Sequence, residues 1–172
     1  MSQQTMRAVD PMIGELEMEA QTTRAMLEAV PADKLDWRPH PKSMSLGQLA
    51  YHIAGLWGGV SGFLELDELD ASQVDFEQQS PESKDQVMST LEASVDTAKQ
   101  RLNAMDNEQA MTDWRLHSGG REIFTIPKIA MARSILMNHM YHHRGQLSVY
   151  LRLLDIPVPV SYGRTADFDP LR

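Results

Sequence analysis

Four long stretches of the chain repeat apolar residues at helical spacing, and this repetition constrains the fold more than any other feature. In the first stretch, from about Pro11 to Val30, apolar or small residues are separated by alternating steps of four and three. These residues are Val9, Ile13, Leu16, Ala20, Thr23, Leu27 and Val30. A repeat of about 3.5 residues is typical of a helix in a bundle. Asp10 is the expected N-cap before Pro11, and Pro31 ends the helix.

The other three stretches show the same periodicity. They run from about Leu46 to Leu66, from Pro81 to Met105 and from Pro127 to Leu154. Ser45 and Gln48 fit a capping box at the start of the second stretch, and Ser80-Pro81 opens the third. Four amphipathic helices and little else predict an all-α protein with a four-helix bundle.

The connections between these helices are uneven in length. Residues 67–80 and 106–126 are long for simple antiparallel hairpins, so we expect one crossover connection. Within the last link, Trp114–Leu116 and Glu122–Phe124 flank Ser118-Gly119-Gly120, which predicts a small hairpin before the last helix. The chain has no internal repeat and no linker, and we expect residues 1–172 to form a single domain.

Charge and cysteine content exclude several classes of function. The 172 residues include 24 Asp and Glu but only 16 Lys and Arg, giving a net charge of −8, which disfavours nucleic acid as a partner. The absence of cysteine excludes disulfides, thiolate metal ligands and a cysteine nucleophile. No targeting segment and no bilayer-length apolar run is visible, so we expect no membrane association and a cytoplasmic location.

Histidines in the last helix form the most informative cluster. On a helical wheel with about 100° per residue, His143 lies near the centre of the apolar face and His139 lies towards its edge. His142 is turned away from that face. Two imidazoles one helical turn apart can bind one metal ion, so His139 and His143 are candidate ligands.

His52 is the third candidate ligand, because it borders the apolar stripe of the second helix beside Leu56 and Phe63. Three neutral histidines would leave one coordination position open, as in catalytic rather than structural metal sites. A water in that position would have its pKa lowered towards neutrality. The alternative for each histidine is an ordinary hydrogen-bonded core residue, since the H-x-x-x-H pattern is weakly specific. His142 could also replace His143 as the ligand, because a spacing of three residues works geometrically.

Two neighbouring residues are candidates for supporting roles. Gln146 could orient a ligand or a bound water, or it could make a helix-capping or inter-helix hydrogen bond. Arg144 could reach an anionic substrate at the rim of a pocket, whereas a surface ion pair is the commoner role of such a residue.

Beyond its first turn, the second helix contains four glycines, and each costs about 1 kcal/mol relative to alanine in a helix interior. They are Gly55, Gly58, Gly59 and Gly62. Close approach of another helix, in the bundle or across a dimer interface, is the favoured explanation. The alternative is that Gly55 and Gly59 leave room for a ligand above the metal.

Three segments resemble the DinB/YfiT-like superfamily of small bacterial four-helix metalloproteins. Trp37-Arg38-Pro39 with Ser45–Ile53 (SLGQLAYHI) is similar to the first histidine motif of that family. His139–Leu147 (HMYHHRGQL) resembles its H-x-x-H-H-R-G-Q-L motif, which is the most specific of the three. Pro157-Val158-Pro159, followed by Tyr162-Gly163, resembles its closing segment.

The resemblance implies which residues form the site, but it does not identify one substrate. His52, His139 and His143 match the three metal-ligand positions of the family, whose members hold one divalent metal such as zinc or nickel. The family fold is a bundle with one crossover, often a homodimer. Relatives carry out thiol-dependent S-transfer and isomerisation with low-molecular-weight thiols, and hydrolysis has been suggested for others.

Three functions follow for this chain. A metal-dependent enzyme could activate a thiol for transfer or isomerisation, or it could activate water for hydrolysis of a small-molecule substrate. The alternative is a non-enzymatic bundle that binds a metal or a small ligand in a stress response. Because the chain has no cysteine, a reacting thiol would have to arrive with a cosubstrate.

Overall fold

The computed structural model describes residues 6–169, most of which are helical. The helices are α1 (Asp10–Glu28), α2 (Leu46–Ser61), α3 (Lys84–Ala104), α4 (Asn107–Met111), α5 (Lys128–Met131) and α6 (Asn138–Leu153). The strands are β1 (Glu68–Asp70), β2 (Asp113–Ser118) and β3 (Arg121–Pro127). A π-helical turn, Ala132–Met137, joins α5 to α6 in one continuous helical run. Residues 1–5, part of the stretch that carried the prediction of no targeting segment, lie outside the described residues.

All four predicted helical stretches are present, with differences at their ends and a π-helical turn within the fourth. The capping box of Ser45 and Gln48 is confirmed at the start of α2. The N-cap of α1 is Val9 rather than Asp10, because the Asp10 carboxylate accepts hydrogen bonds from the backbone and side chain of Arg7. Helix α3 begins three residues later than predicted, because Ser83 is its N-cap.

The all-α prediction was incomplete because the chain also forms a small three-stranded sheet. The predicted hairpin is confirmed as the antiparallel pair β2–β3. Strand β1 pairs in parallel with β2, with Glu68 opposite Arg115 and Asp70 opposite His117. The acidic segment 65–70, which follows the second helix, therefore includes a strand. The four-helix bundle with one crossover remains a prediction in its details.

Helix α2 packs against both α3 and the last helical run. Side chains from all three elements are almost completely buried at these contacts: Leu49, Ile53, Trp57, Leu91, Leu102, Leu136, Leu147 and Leu151. Burial of a large apolar side chain contributes about 1.5–3 kcal/mol relative to exposure. This core fixes the face of α2 that is turned towards α6. Within residues 6–169, no helix is both long enough and apolar enough to cross a lipid bilayer.

Two explanations were given for the glycines of α2, close approach of another helix and room for a ligand, and each applies to different glycines. A Cβ atom at Gly58 would lie 3.0 Å from the Cα atom of Ser94, and the Gly58 N–H donates to Ser94 Oγ over 2.7 Å. Close approach of α3 therefore explains Gly58. Gly55 and Gly59 line a cavity instead, and a Cβ atom at Gly59 would meet nothing within 4 Å.

We expect alanine substitutions at Gly58 and Gly59 to change stability in opposite directions. Gly59→Ala should raise the free energy of unfolding by up to about 1 kcal/mol, since the helix gains propensity without a clash. Gly58→Ala should lower it by about 1 kcal/mol, because overpacking against α3 outweighs that gain. Urea unfolding of the two variants measures both effects. Equal stabilisation by both would contradict the close approach at Gly58.

Candidate metal centre

Three histidines from two helices converge at one point. His52 comes from α2, and His139 and His143 come from α6. Each offers one ring nitrogen, and the three nitrogens lie within 4.8 Å of one another. His142 is exposed to solvent, so its neighbour His143 is the residue that α6 directs inwards, as the wheel predicted.

The spacing of the rings suits a metal ion after small movements. His143 Nε2 and His139 Nε2 are 2.8 Å apart, at hydrogen-bonding distance. Nitrogens bound to a tetrahedral zinc ion at 2.0–2.1 Å would be about 3.3 Å apart. A metal therefore requires His139 and His143 to separate by about half an ångström, which side-chain rotation can supply.

Gln146 holds the ring of His143. The amide oxygen of Gln146 lies 2.7 Å from His143 Nδ1, and because that oxygen can only accept, Nδ1 carries the proton. Nε2 of His143 therefore carries a lone pair rather than a proton, and it faces His139 Nε2. A hydrogen bond of this kind sets the tautomer and orientation of a metal-binding histidine. The contact corresponds to the orienting role that the sequence offered for Gln146.

The hydrogen bonding of the His52 Nε2 atom indicates whether the site fits a metal ion. This atom is buried and has no hydrogen-bond partner among the described residues. Buried polar atoms are nearly always paired, so one without a partner requires an explanation. A metal ion bound by the three imidazoles would provide the missing interaction for His52.

All three histidines are held in the neutral form that a metal requires. Burial is the main cause, and it lowers the pKa of His52 and that of His139 to about 4. Repulsion between neighbouring imidazoles is the second cause of these two shifts. Burial also lowers the pKa of His143, although its hydrogen bond to Gln146 acts in the opposite direction. Protons therefore compete weakly for these ring nitrogens at neutral pH.

A π-helical turn lies immediately before the histidine motif. It spans Ala132–Met137 and contains one more residue per turn than an α-helix would, so it rotates the following residues about the helix axis. The Ser134 hydroxyl donates to the Ala130 carbonyl over 2.7 Å at the start of this turn, in competition with the regular backbone pattern. Such turns are frequent at functional sites, and this one ends two residues before His139.

A cavity of about 600 Å³ extends outwards from His52 and His139. One wall is the face of α2 that includes Gly55 and Gly59, and the opposite wall comes from β1, β2 and the segment 71–79. Gln48 donates a hydrogen bond to the Gln78 carbonyl and so ties that segment to the start of α2. Cavities of 300–1,000 Å³ are typical of small-molecule sites.

The structure places Arg144 away from this cavity. Arg144 forms an ion pair, as predicted, but the pair is buried and not on the surface, because the Arg144 side chain is only 3% exposed. Its guanidinium pairs with Glu19 of α1 at 2.5 Å and lies between the rings of Tyr141 and Tyr162. The Tyr162 hydroxyl also accepts a hydrogen bond from it over 2.5 Å. Arg144 therefore joins α6 to α1 and to the C-terminal segment.

Comparison with known proteins identifies the family. The family model described as "DinB family" matches residues 1–169. The chain belongs to the DinB family. Among curated proteins, Bacillus subtilis YrdA is 27% identical to this DinB chain over 161 residues, covering 91% of this chain and 89% of YrdA.

Solved structures support the DinB fold. A DinB-like protein from Bacillus cereus ATCC 10987 has a TM-score of 0.67 and 20% identity, covering 87% of this chain and 94% of the other. The DinB-like protein YjoA from Bacillus subtilis has a TM-score of 0.66 and 18% identity, covering 88% and 97% of the two chains. At these identities the similarity concerns the fold. The resemblance seen in the sequence is thereby confirmed.

Sequence reasoning missed two components of the DinB site. The cavity depends on β1 and on the segment that follows it, and a three-residue strand carries almost no periodic pattern. The π turn also has no propensity signature, although Ser134 within the helical pattern was a weak local indication of an irregular turn.

The lowered histidine pKa values predict how Zn²⁺ binding depends on pH. Three histidines with the ordinary pKa of about 6.5 would lose on the order of several hundred-fold in Zn²⁺ affinity between pH 7.0 and 5.5, because protons displace the metal. With pKa values near 4 for His52 and His139 and a lowered pKa for His143, we expect this DinB protein to lose less than about tenfold. Competition titration with a chelator at both pH values measures the change, and a peptide with three exposed histidines is the control. A loss as large as that of the peptide would contradict the prediction.

Proposed function

We propose that the protein is a metal-dependent enzyme in which His52, His139 and His143 hold one divalent transition-metal ion, zinc or nickel. The observation that carries this proposal is the convergence of three ring nitrogens beside a cavity that His52 and His139 line. Imidazole ligands suit both metals, and three of them leave one position open. When bound, the metal would lower the pKa of a water or of a substrate thiol in that position.

The residues of the chain prepare the site for this chemistry. Gln146 holds His143 in the tautomer whose Nε2 is unprotonated and able to bind a metal. The mostly apolar lining of the cavity offers few groups that could hydrate a ligand beside His52 and His139, which would strengthen electrostatic interactions there. The chain has no cysteine, so a reacting thiol must arrive with a small-molecule cosubstrate such as a low-molecular-weight thiol.

Two reaction types remain within the proposal, S-transfer or isomerisation with a thiol and hydrolysis with water. The alternative function is a non-enzymatic bundle that binds a metal or a small ligand in a stress response. A cytoplasmic location, a homodimer and the absence of nucleic-acid binding stay predictions, as does the single-domain organisation of residues 1–172.

The metal content of two neighbouring histidine variants tests the ligand set. The protein is purified without a histidine tag, loaded with Zn²⁺, dialysed and measured by elemental analysis. We expect one ion per chain in the parent protein and in His142→Ala, since His142 is exposed. His143→Ala should lose most of the metal, because two ligands bind far more weakly than three. Stoichiometric metal in His143→Ala together with loss in His142→Ala would overturn the assignment.

Turnover assays on the metal-loaded protein distinguish the reaction types. An aryl halide is offered with and without 2-mercaptoethanol, and a panel of nitrophenyl esters and anilides is offered without thiol. Thiol-dependent consumption of the halide that is lost in His143→Ala indicates transfer, and thiol-independent turnover of the panel indicates hydrolysis. Full metal occupancy with no turnover above the His143→Ala background would favour the non-enzymatic alternative.

A further inference from the structure

The cavity beside the histidines has a wall of uniform chemistry. Its side chains are predominantly apolar and come from α2, from the sheet and from the segment after β1: Leu56, Val60, Phe63, Leu69, Trp114 and Leu116. Trp114 is 1% exposed, so the wall is continuous with the protein core. Burial of apolar surface on such a wall is favourable by about 25 cal/mol per Å². The body of a ligand in this cavity should therefore be apolar.

Charge at the cavity is of one sign. Asp75 and Glu77 line it and are exposed to solvent, so they lie towards its opening. No lysine or arginine is found among the described residues that line it. The Asp75 carboxylate also accepts a hydrogen bond from the Glu77 N–H over 2.8 Å, which fixes the turn between them. An anion that enters would lose hydration without gaining a lysine or arginine partner from the cavity wall.

We propose that the cavity binds the body of an apolar, uncharged small molecule, with its reacting group directed towards His52 and His139. This inference rests on the proposed function only for the direction of the reacting group. The inference narrows the class of thiol substrates. Thiols that carry carboxylates would be repelled by the negative charge at the opening of the cavity. A thiol used at this site would be an uncharged one.

Two ligands with the same eight-carbon chain test the proposal. Binding of 1-octanol and of octanoate is measured by isothermal titration calorimetry and by the change in tryptophan fluorescence, at pH 7.5 and low ionic strength. Metal-free protein is used first, so that a dication does not attract the carboxylate, and zinc-loaded protein is used second. We expect 1-octanol to bind metal-free protein at least tenfold more tightly than octanoate, a difference of about 1.4 kcal/mol. Equal or tighter binding of octanoate, or no binding of 1-octanol, would overturn the proposal.

A pair of matched double variants locates the effect. Asp75→Asn with Glu77→Gln removes both charges at the opening and should tighten octanoate binding several-fold while 1-octanol changes by less than twofold. Asp33→Asn with Asp36→Asn removes the same charge from exposed residues that do not line the cavity, and it should change neither ligand. An equal effect of the two double variants would contradict a local origin. If zinc fails to bind while this ligand preference holds, the proposed function fails and the inference about the cavity stands.

Discussion

The packing of α2 against α3 and α6 is the interaction on which the candidate metal centre depends. Ile53 and Trp57 of α2 are completely buried, and the absence of a side chain at Gly58 lets α3 approach closely. His52 precedes Ile53, and residues on a helix are separated by about 100°. Once the apolar face of α2 is buried, His52 must therefore lie at the border of that face, where α6 brings its own two histidines. Core burial alone thus accounts for much of the geometry of the site.

The parts of the site that the sequence predicted are those set by local spacing. His139 and His143 are one turn apart, and Ser45 with Gln48 forms a capping box within four residues, so both patterns can be read without knowledge of the fold. The parallel pairing of Glu68 with Arg115 could not be predicted, because it joins residues far apart in the chain and involves only three positions. The family resemblance supplied the ligand set but gave no information about the cavity.

The buried ion pair of Arg144 explains how the orientation of α6 about its own axis is fixed. His143 and Arg144 are consecutive and point in directions about 100° apart, yet both are buried, because α2 packs on one side of α6 and α1 on the other. Loss of one partner from a buried ion pair costs about 3–5 kcal/mol. Rotation of α6 would separate Arg144 from Glu19, so this pair keeps His143 directed towards His52. The arginine of the histidine motif thereby contributes to the site without lying in it.

The groups that would exclude anions and the metal ion that would activate a ligand lie at different places in the cavity. A divalent ion bound by three neutral imidazoles would retain its full positive charge and would attract anions. Asp75 and Glu77 act at the exposed end, where an entering molecule is still partly hydrated, and they disfavour anions before the metal can be reached. An uncharged molecule passes this barrier and is held by the apolar wall. The site can therefore combine a strongly charged metal centre with a preference for uncharged ligands. The carboxylates would act where a ligand enters the cavity, whereas the metal ion would act beside the histidines.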